Sequence, residues 1–128
     1  MVRLTFDRTN TIKKIYSLLK QVNSNVYHER VPQGTQLPYV VFNVGSAFSG
    51  MDSEATFSLE INVWDNKGSD VAELEEITNN IAEFLYARTC NNGIINLWFN
   101  QPEIFPIPDP DENIRRRQIN FNVEYSNV

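Results

Sequence analysis

The clearest pattern in the chain lies within residues 55–88. Its first half alternates as a strand does, and its second half has apolar residues at helical spacing. In the first half, apolar and polar residues alternate with a period of two, which is typical of a strand with one buried face. The run Asp-Asn-Lys-Gly at 65–68 contains turn-forming residues that end the strand. Apolar residues then recur every three or four positions, which predicts an amphipathic helix. We expect one core to form from these apolar faces and the last strand: Phe57, Leu59, Ile61, Val63, Leu74, Ile81, Leu85, Phe121 and Val123.

The same two periods divide the rest of the chain. Helical spacing predicts a first helix over 7–22, and alternation predicts a last strand over 115–125. Shorter runs predict an extended piece at 26–31, a strand at 37–44, a long loop at 45–54, a strand at 94–99 and a proline-rich edge at 101–110. Because most strands follow one another without a helical crossover, we expect an α+β fold with a mostly antiparallel sheet of about four strands and two helices packed on one face. No repeat or linker interrupts residues 1–128, which predicts a single domain.

Two parts of this predicted fold are candidates for contacts. The second face of the sheet is polar, includes Glu60 and Glu124, and can remain in contact with water. The loop at 45–54 is bounded by glycines but carries Phe48 and Met51. Loops with exposed apolar residues often contact a partner, so this loop is predicted to order against a neighbouring molecule.

Composition narrows the classes of function. The formal charge of −5 argues against a dedicated nucleic-acid binder, which normally relies on basic residues to neutralise phosphates. A single cysteine leaves no intrachain disulfide, which fits synthesis in a reducing cytoplasm. No apolar run approaches the roughly 20 residues of a membrane-spanning helix, so no membrane association is expected.

Candidate chemistry is sparse along the chain. His28 is the only histidine and has no cysteine or second histidine near it in sequence, so it is interpreted as a partly exposed strand residue. Cys90 follows the second helix, where the helix dipole disfavours a thiolate, and is interpreted as structural. The acidic turn at 109–112 lacks the pattern of a calcium loop. We therefore expect no catalytic, cofactor-binding or metal-binding residues and a protein that is not an enzyme.

The one basic run is Arg115-Arg116-Arg117, near the start of the last strand. Strand alternation sends Arg116 to the face opposite the other two, so the run does not form a single patch. A solvated or salt-bridged edge and a partner or phosphate contact both remain open for it.

Several motifs together resemble a known family. They are Val31-Pro32 and, within the predicted strand 37–44, Pro38-Tyr39; Val63-Trp64-Asp65 at the end of the alternating segment; the helix after it; and the closing strand RRQINFNVEY. This pattern resembles the tail-completion or tail-terminator proteins of long-tailed bacteriophages and prophages, over nearly the whole chain. The segment 100–114 does not match it.

The resemblance implies a structural virion protein that forms a ring, typically of six copies. Such a ring caps the tail tube, contacts the tail tube protein on one side and the head-side connector on the other, and lets DNA pass without specific binding. The protein would be made in the host cytoplasm and then become part of the virion. Other phage neck or head-completion proteins, and a small non-viral α+β ligand-binding module, remain open as alternatives.

From the residues we assign two sets of contacts to such a ring. Glu60 and Glu124 are predicted to line its channel. The predicted partner interface is Phe48, Met51, Asp52, Phe105, Ile107, Arg115 and Arg116.

Overall fold

The computed structural model describes residues 6–49 and 54–127, with side chains at all of these positions except 48, 49 and 54. It contains two helices and seven strands within that part of the chain. In chain order they are α1 (Arg8–Val22), β1 (Val26–His28), β2 (Tyr39–Ser49), β3 (Glu54–Asp65), α2 (Ala72–Leu85), β4 (Thr89–Asn91), β5 (Ile95–Phe99), β6 (Glu103–Ile107) and β7 (Arg115–Asn127).

The strands form one curled, mixed sheet in the order β1-β2-β3-β7-β5-β4, and β6 also pairs with β7. The expectation of a mostly antiparallel sheet of about four strands is therefore wrong. β1 runs parallel to β2, which makes the sheet mixed. The undercount has a physical reason, because β1 and β4 have only three residues each and are too short to show a period of two.

The connection between β2 and β3 is much shorter than the predicted loop at 45–54. β2 continues to Ser49 and pairs Ala47 with Phe57. Alternation fails there because the register shifts between Val44 and Ala47, so that one extra residue bulges from β2. Residues 45–49 are thus part of a long hairpin, and only 50–53 remain between its strands.

The core lies between one face of the sheet and both helices. All nine residues predicted to form it belong to a single cluster of buried side chains, so that prediction is confirmed. α1 adds Ile15 and Leu19 to this cluster, and both side chains are completely buried. The cluster holds alternate residues of β3 and β7, so neither of the two described helices covers the other face of the sheet.

α1 begins at an aspartate cap. The Asp7 carboxylate accepts hydrogen bonds from the backbone N–H of Asn10 at 3.0 Å and from the side-chain amide of Asn10 at 2.7 Å. These bonds satisfy donors that the first turn of a helix otherwise leaves unpaired. The bonds from Asn10 lower the pKa of Asp7, because they stabilise the ionised carboxylate.

Replacing this cap should produce a modest loss of stability. We expect Asp7→Ala to lower the free energy of unfolding by about 1 kcal/mol, whereas Asp7→Asn, which keeps an acceptor but loses the charge, should cost a smaller but measurable amount near neutral pH. Because the pKa is lower in the folded state, the charge contribution is present at neutral pH and is lost as the pH falls through the acidic range. Denaturant unfolding at several pH values should therefore show that parent and Asp7→Asn converge in acid. A constant difference between them would contradict this explanation.

Candidate interaction surface on the polar face of the sheet

The polar face of the sheet is built by the residues of β3 and β7 that alternate with the core residues. Directly paired residues of neighbouring strands point to the same side, so the strand register defines rows of side chains across the face. From one end to the other, these rows pair Trp64 with Arg116, Asn62 with Gln118, Glu60 with Asn120, Ser58 with Asn122, and Thr56 with Glu124.

β6 and β5 extend the same face beyond β7. Phe105 lies opposite Gln118, and Ile107 lies opposite Arg116. Trp98 lies opposite Glu124 at the far end. The sequence assigned Glu60 and Glu124 to a channel and Phe105, Ile107 and Arg116 to a partner interface; the structure brings all five onto one face.

At the C-terminal end of β3, this face carries aromatic rings and a cation. The Arg116 guanidinium stacks 4.7 Å from the centre of the Trp64 ring, and the Tyr39 ring lies 6.5 Å from Trp64 on the other side. These groups and Asn62 line a cleft of about 360 Å³. Asn62 is only 7% exposed, yet its Oδ1 atom has no hydrogen-bond partner among the described residues. Arg116 Nε, which lines the same cleft, is also without a partner among the described residues, so this end holds an unused acceptor and an unused donor.

At the opposite end the face is acidic and carries a large exposed aromatic side chain. Glu124 is exposed, and Trp98 beside it is 45% exposed. Both line a cleft of about 660 Å³ with Thr89 and Asn96. Glu124 is eight positions from Arg116 along β7, which corresponds to about 26 Å in a strand. The two ends are thus far enough apart to contact different groups.

The three arginines of β7 separate as predicted from strand alternation. Arg116 lies on the polar face, whereas Arg117 forms an ion pair with Glu75 of α2 on the helix side. Arg115 is opposite Asp65 in the register. The ion pair with Glu75 therefore anchors Arg117 to α2, and the three arginines do not form one basic patch.

A second ion-pair group closes the end of β3. The Asp65 side chain is only 1% exposed and lies 3.2 Å from the Lys67 ammonium, which also bonds to Glu73 at 2.8 Å. Glu73, followed by Asp65, raises the pKa of Lys67 by stabilising the charged ammonium. This group joins the end of the strand to the first turn of α2.

Two other singled-out residues have packing roles. The His28 ring lies 4.9 Å from the Phe42 ring and is partly buried, in agreement with its interpretation as a partly exposed strand residue. Cys90 lies within β4 and not at a helix end, so the helix-dipole argument for it was misplaced. Burial raises the pKa of its thiol instead.

Residues 6–49 and 54–127 contain neither a metal-binding cluster nor a membrane-spanning helix. No group of three or more His, Cys, Asp or Glu side chains in these ranges is arranged to hold a metal ion. No helix in the same ranges is long and apolar enough to cross a bilayer.

The fold of this chain is similar to that of solved protein structures. No family model matches the chain, and no curated protein matches it. A solved chain from the virion of a native gene transfer agent particle matches with a TM-score of 0.63 at 15% identity, covering 95% of this chain and 99% of that one. A second solved chain matches with a TM-score of 0.58 at 12% identity, covering 94% of this chain and 92% of that one. This chain therefore shares its complete fold with a chain of that virion.

Three of the predicted interface residues cannot be placed. Met51 and Asp52 lie outside the described residues, and Phe48 belongs to β2 but its side chain is not described. The predictions for these positions stay predictions.

Exposed apolar residues on the helix side were missed by the sequence analysis. Tyr86 is 54% exposed, Ile104 is 42% exposed and Tyr16 is 39% exposed. Tyr16 fitted the apolar stripe of α1, and Ile104 lies in the proline-rich segment where alternation is hard to read. One signal in the sequence points to the helix side. The charged residues of α1 are all basic, and those of α2 are all acidic.

Proposed function

We propose that this chain is a structural protein of a phage-like virion and, more specifically, the tail terminator that ends tail growth and joins the tail to the head. In this proposal, identical copies close into a ring, with six as the expected number. One face of the ring contacts the tail tube protein and the other contacts the head-side connector. Its role is structural and not catalytic, first in the host cytoplasm during assembly and then in the virion.

The observation that carries the proposal is the fold likeness to a chain of a gene transfer agent virion, which extends over nearly all of both chains. At 15% identity the likeness supports a shared architecture, while the role in the tail rests on the family resemblance of the sequence motifs. The polar face fits a structural role, because amide and hydroxyl side chains make up most of its β3 and β7 rows, with few titratable groups that could act together in catalysis.

The polar face is the surface that we propose lines the passage for DNA. Glu60 and Glu124 place carboxylates on it, and the row between them pairs Ser58 with Asn122, both uncharged. Such a lining does not retain phosphates, whereas a basic lining binds them strongly. Arg116 is the exception on this face, and its guanidinium is stacked on Trp64 at one end.

Deletion of the gene tests the proposed function. We expect particles with tails of uncontrolled length and heads that remain unattached, as seen by electron microscopy, and both defects should be corrected by the parent gene in trans. Tails of normal length that fail to join heads would point to another neck or head-completion protein. Normal particles in the deletion strain would contradict a virion role altogether.

A charge reversal on the polar face tests the passage. We expect Glu60→Lys combined with Glu124→Lys to permit particle assembly but to lower DNA delivery on the order of tenfold or more, because twelve added lysines in a ring of six would bind the passing phosphates. Glu112→Lys, in an exposed turn, adds positive charge away from this face and serves as the control. Delivery per particle, measured by counting transferred genomes, should separate the two variants. If both variants delivered DNA equally well, the polar face would not line the DNA passage.

A further inference from the structure

The two helices carry opposite charge. Four basic residues and no acidic residue lie in α1, while four glutamates and no basic residue lie in α2. In the described part of the chain, no ion pair joins the two helices. Glu73 and Glu75 are paired with Lys67 and Arg117, but Glu83 and the lysines of α1 have no oppositely charged partner within ion-pair distance there.

The basic flank of the molecule is the side of α1 above β1 and β2. It consists of Lys13, Tyr16 and Lys20, which are all exposed and are spaced three and four positions apart, so they form one stripe. The Tyr16 ring lies 6.4 Å from the Phe42 ring of β2, which places the stripe over the first two strands of the sheet. The Lys20 ammonium lies 5.6 Å from the Tyr16 ring, so an aromatic side chain and a cation are presented together.

The acidic flank lies across the sheet, where α2 meets β6. Asn79, Glu83, Tyr86 and Ile104 line a shallow groove of about 390 Å³ there. Since β6 pairs with β7 on the side away from β3, this groove faces away from β1 and β2. The flank combines an exposed tyrosine and an exposed isoleucine with Glu83, whose carboxylate has no ion-pair partner among the described residues.

We infer that the basic flank of one copy binds the acidic flank of the next, and that this is the lateral contact of the ring. The inference rests on the proposed function for the existence of the ring and adds the surfaces that close it. A head-to-tail ring needs two different, complementary surfaces on opposite sides of one subunit. The two flanks meet this need, because each has an exposed tyrosine as an anchor and their charges are opposite. A second copy fits the acidic groove better than nucleic acid does, since Glu83 repels phosphates.

A pair of charge-reversed variants tests the contact. The first carries Lys13→Glu and Lys20→Glu, so both of its flanks are acidic; the second carries Asn79→Lys and Glu83→Lys, so both are basic. All four positions are exposed, and each variant should fold with the cooperative melting of the parent. Alone, each variant should self-associate on the order of a hundredfold more weakly than the parent, because like charges meet at every contact.

Mixing the two variants should restore assembly, since each copy then finds an oppositely charged flank on both sides in an alternating ring. Light scattering measures the oligomer, and co-expression in the deletion strain measures attached heads of normal tail length. A control chain with Lys14→Glu and Glu76→Lys reverses one charge on each helix outside the flanks and should behave as the parent.

The outcomes separate the contact from the function. If each variant alone supports particles as the parent does, or if both fail and the mixture fails too although both fold, the proposed contact is wrong and the terminator role stands. If the deletion strain itself makes normal particles, the proposed function is wrong. Rescue only by the mixture supports the contact and its head-to-tail arrangement.

Discussion

Phe121→Ala is expected to lower the free energy of unfolding by about 3–5 kcal/mol. Phe121 is 1% exposed at the centre of β7, where it lies opposite Leu59 and meets the Phe99 ring edge-on at 5.9 Å. Removing the ring loses its apolar contacts and leaves a cavity that three elements border, and a packed sheet collapses only partly into such a space.

The neighbouring residue gives a matched control. Asn122 is adjacent on the same strand but exposed on the polar face, so Asn122→Ala should change stability by no more than about 0.5 kcal/mol. Urea unfolding followed by circular dichroism measures both variants. A similar small effect for Phe121→Ala would remove this residue from the core.

Asp65→Ala should have the second-largest effect on stability and lower the free energy of unfolding by about 1.5–3 kcal/mol. The buried carboxylate accepts a 2.8 Å hydrogen bond from the backbone N–H of Asn66 and pairs with the Lys67 ammonium. Truncation leaves the N–H of Asn66 without its acceptor and loosens the link between β3 and α2. Hydrogen bonds to charged groups contribute more than neutral ones, which sets this magnitude.

A second substitution at Asp65 separates charge from hydrogen bonding. Asp65→Asn retains an acceptor for Asn66 and should recover part of the loss, and Glu112→Ala, at an exposed carboxylate, should be close to neutral. Thermal melts of the three variants provide the comparison. If Asp65→Ala melts with the parent, the buried ion pair does not contribute to stability.

Long elements with a regular period could be predicted from the sequence. β3, α2 and β7 each contain enough residues for their apolar face to be recognised, and α1 was placed within a residue of its observed ends. The short strands could not be predicted, because three residues such as Val26–His28 define no period. The extra residue between Val44 and Ala47 interrupted the alternation of β2 and made a strand look like a loop.

The residues of the candidate surface could likewise be predicted only in part from the sequence. Alternation identified which residues of β3 and β7 face away from the core, including Glu60 and Glu124. It could not show that Trp98 lies beside Glu124 or that Phe105 lies beside Gln118, because those neighbours come from other strands and depend on register. The helix flanks were equally hidden, since Tyr86 and Ile104 are brought together only by tertiary packing.

The position of β7 has a consequence for how the chain acquires its structure. β7 is bordered by β3 on one side along almost its whole length, and on the other side by β6 and then β5. All of these partners precede it in the chain, and the pairing of Glu54 with Ser126 spans most of the described residues. Contacts so distant in sequence close slowly, because a long loop must first lose its freedom. During translation, β3 therefore keeps an unpaired edge until β7 is made, and a chain cut short before β7 would offer that edge to other strands and aggregate instead of folding.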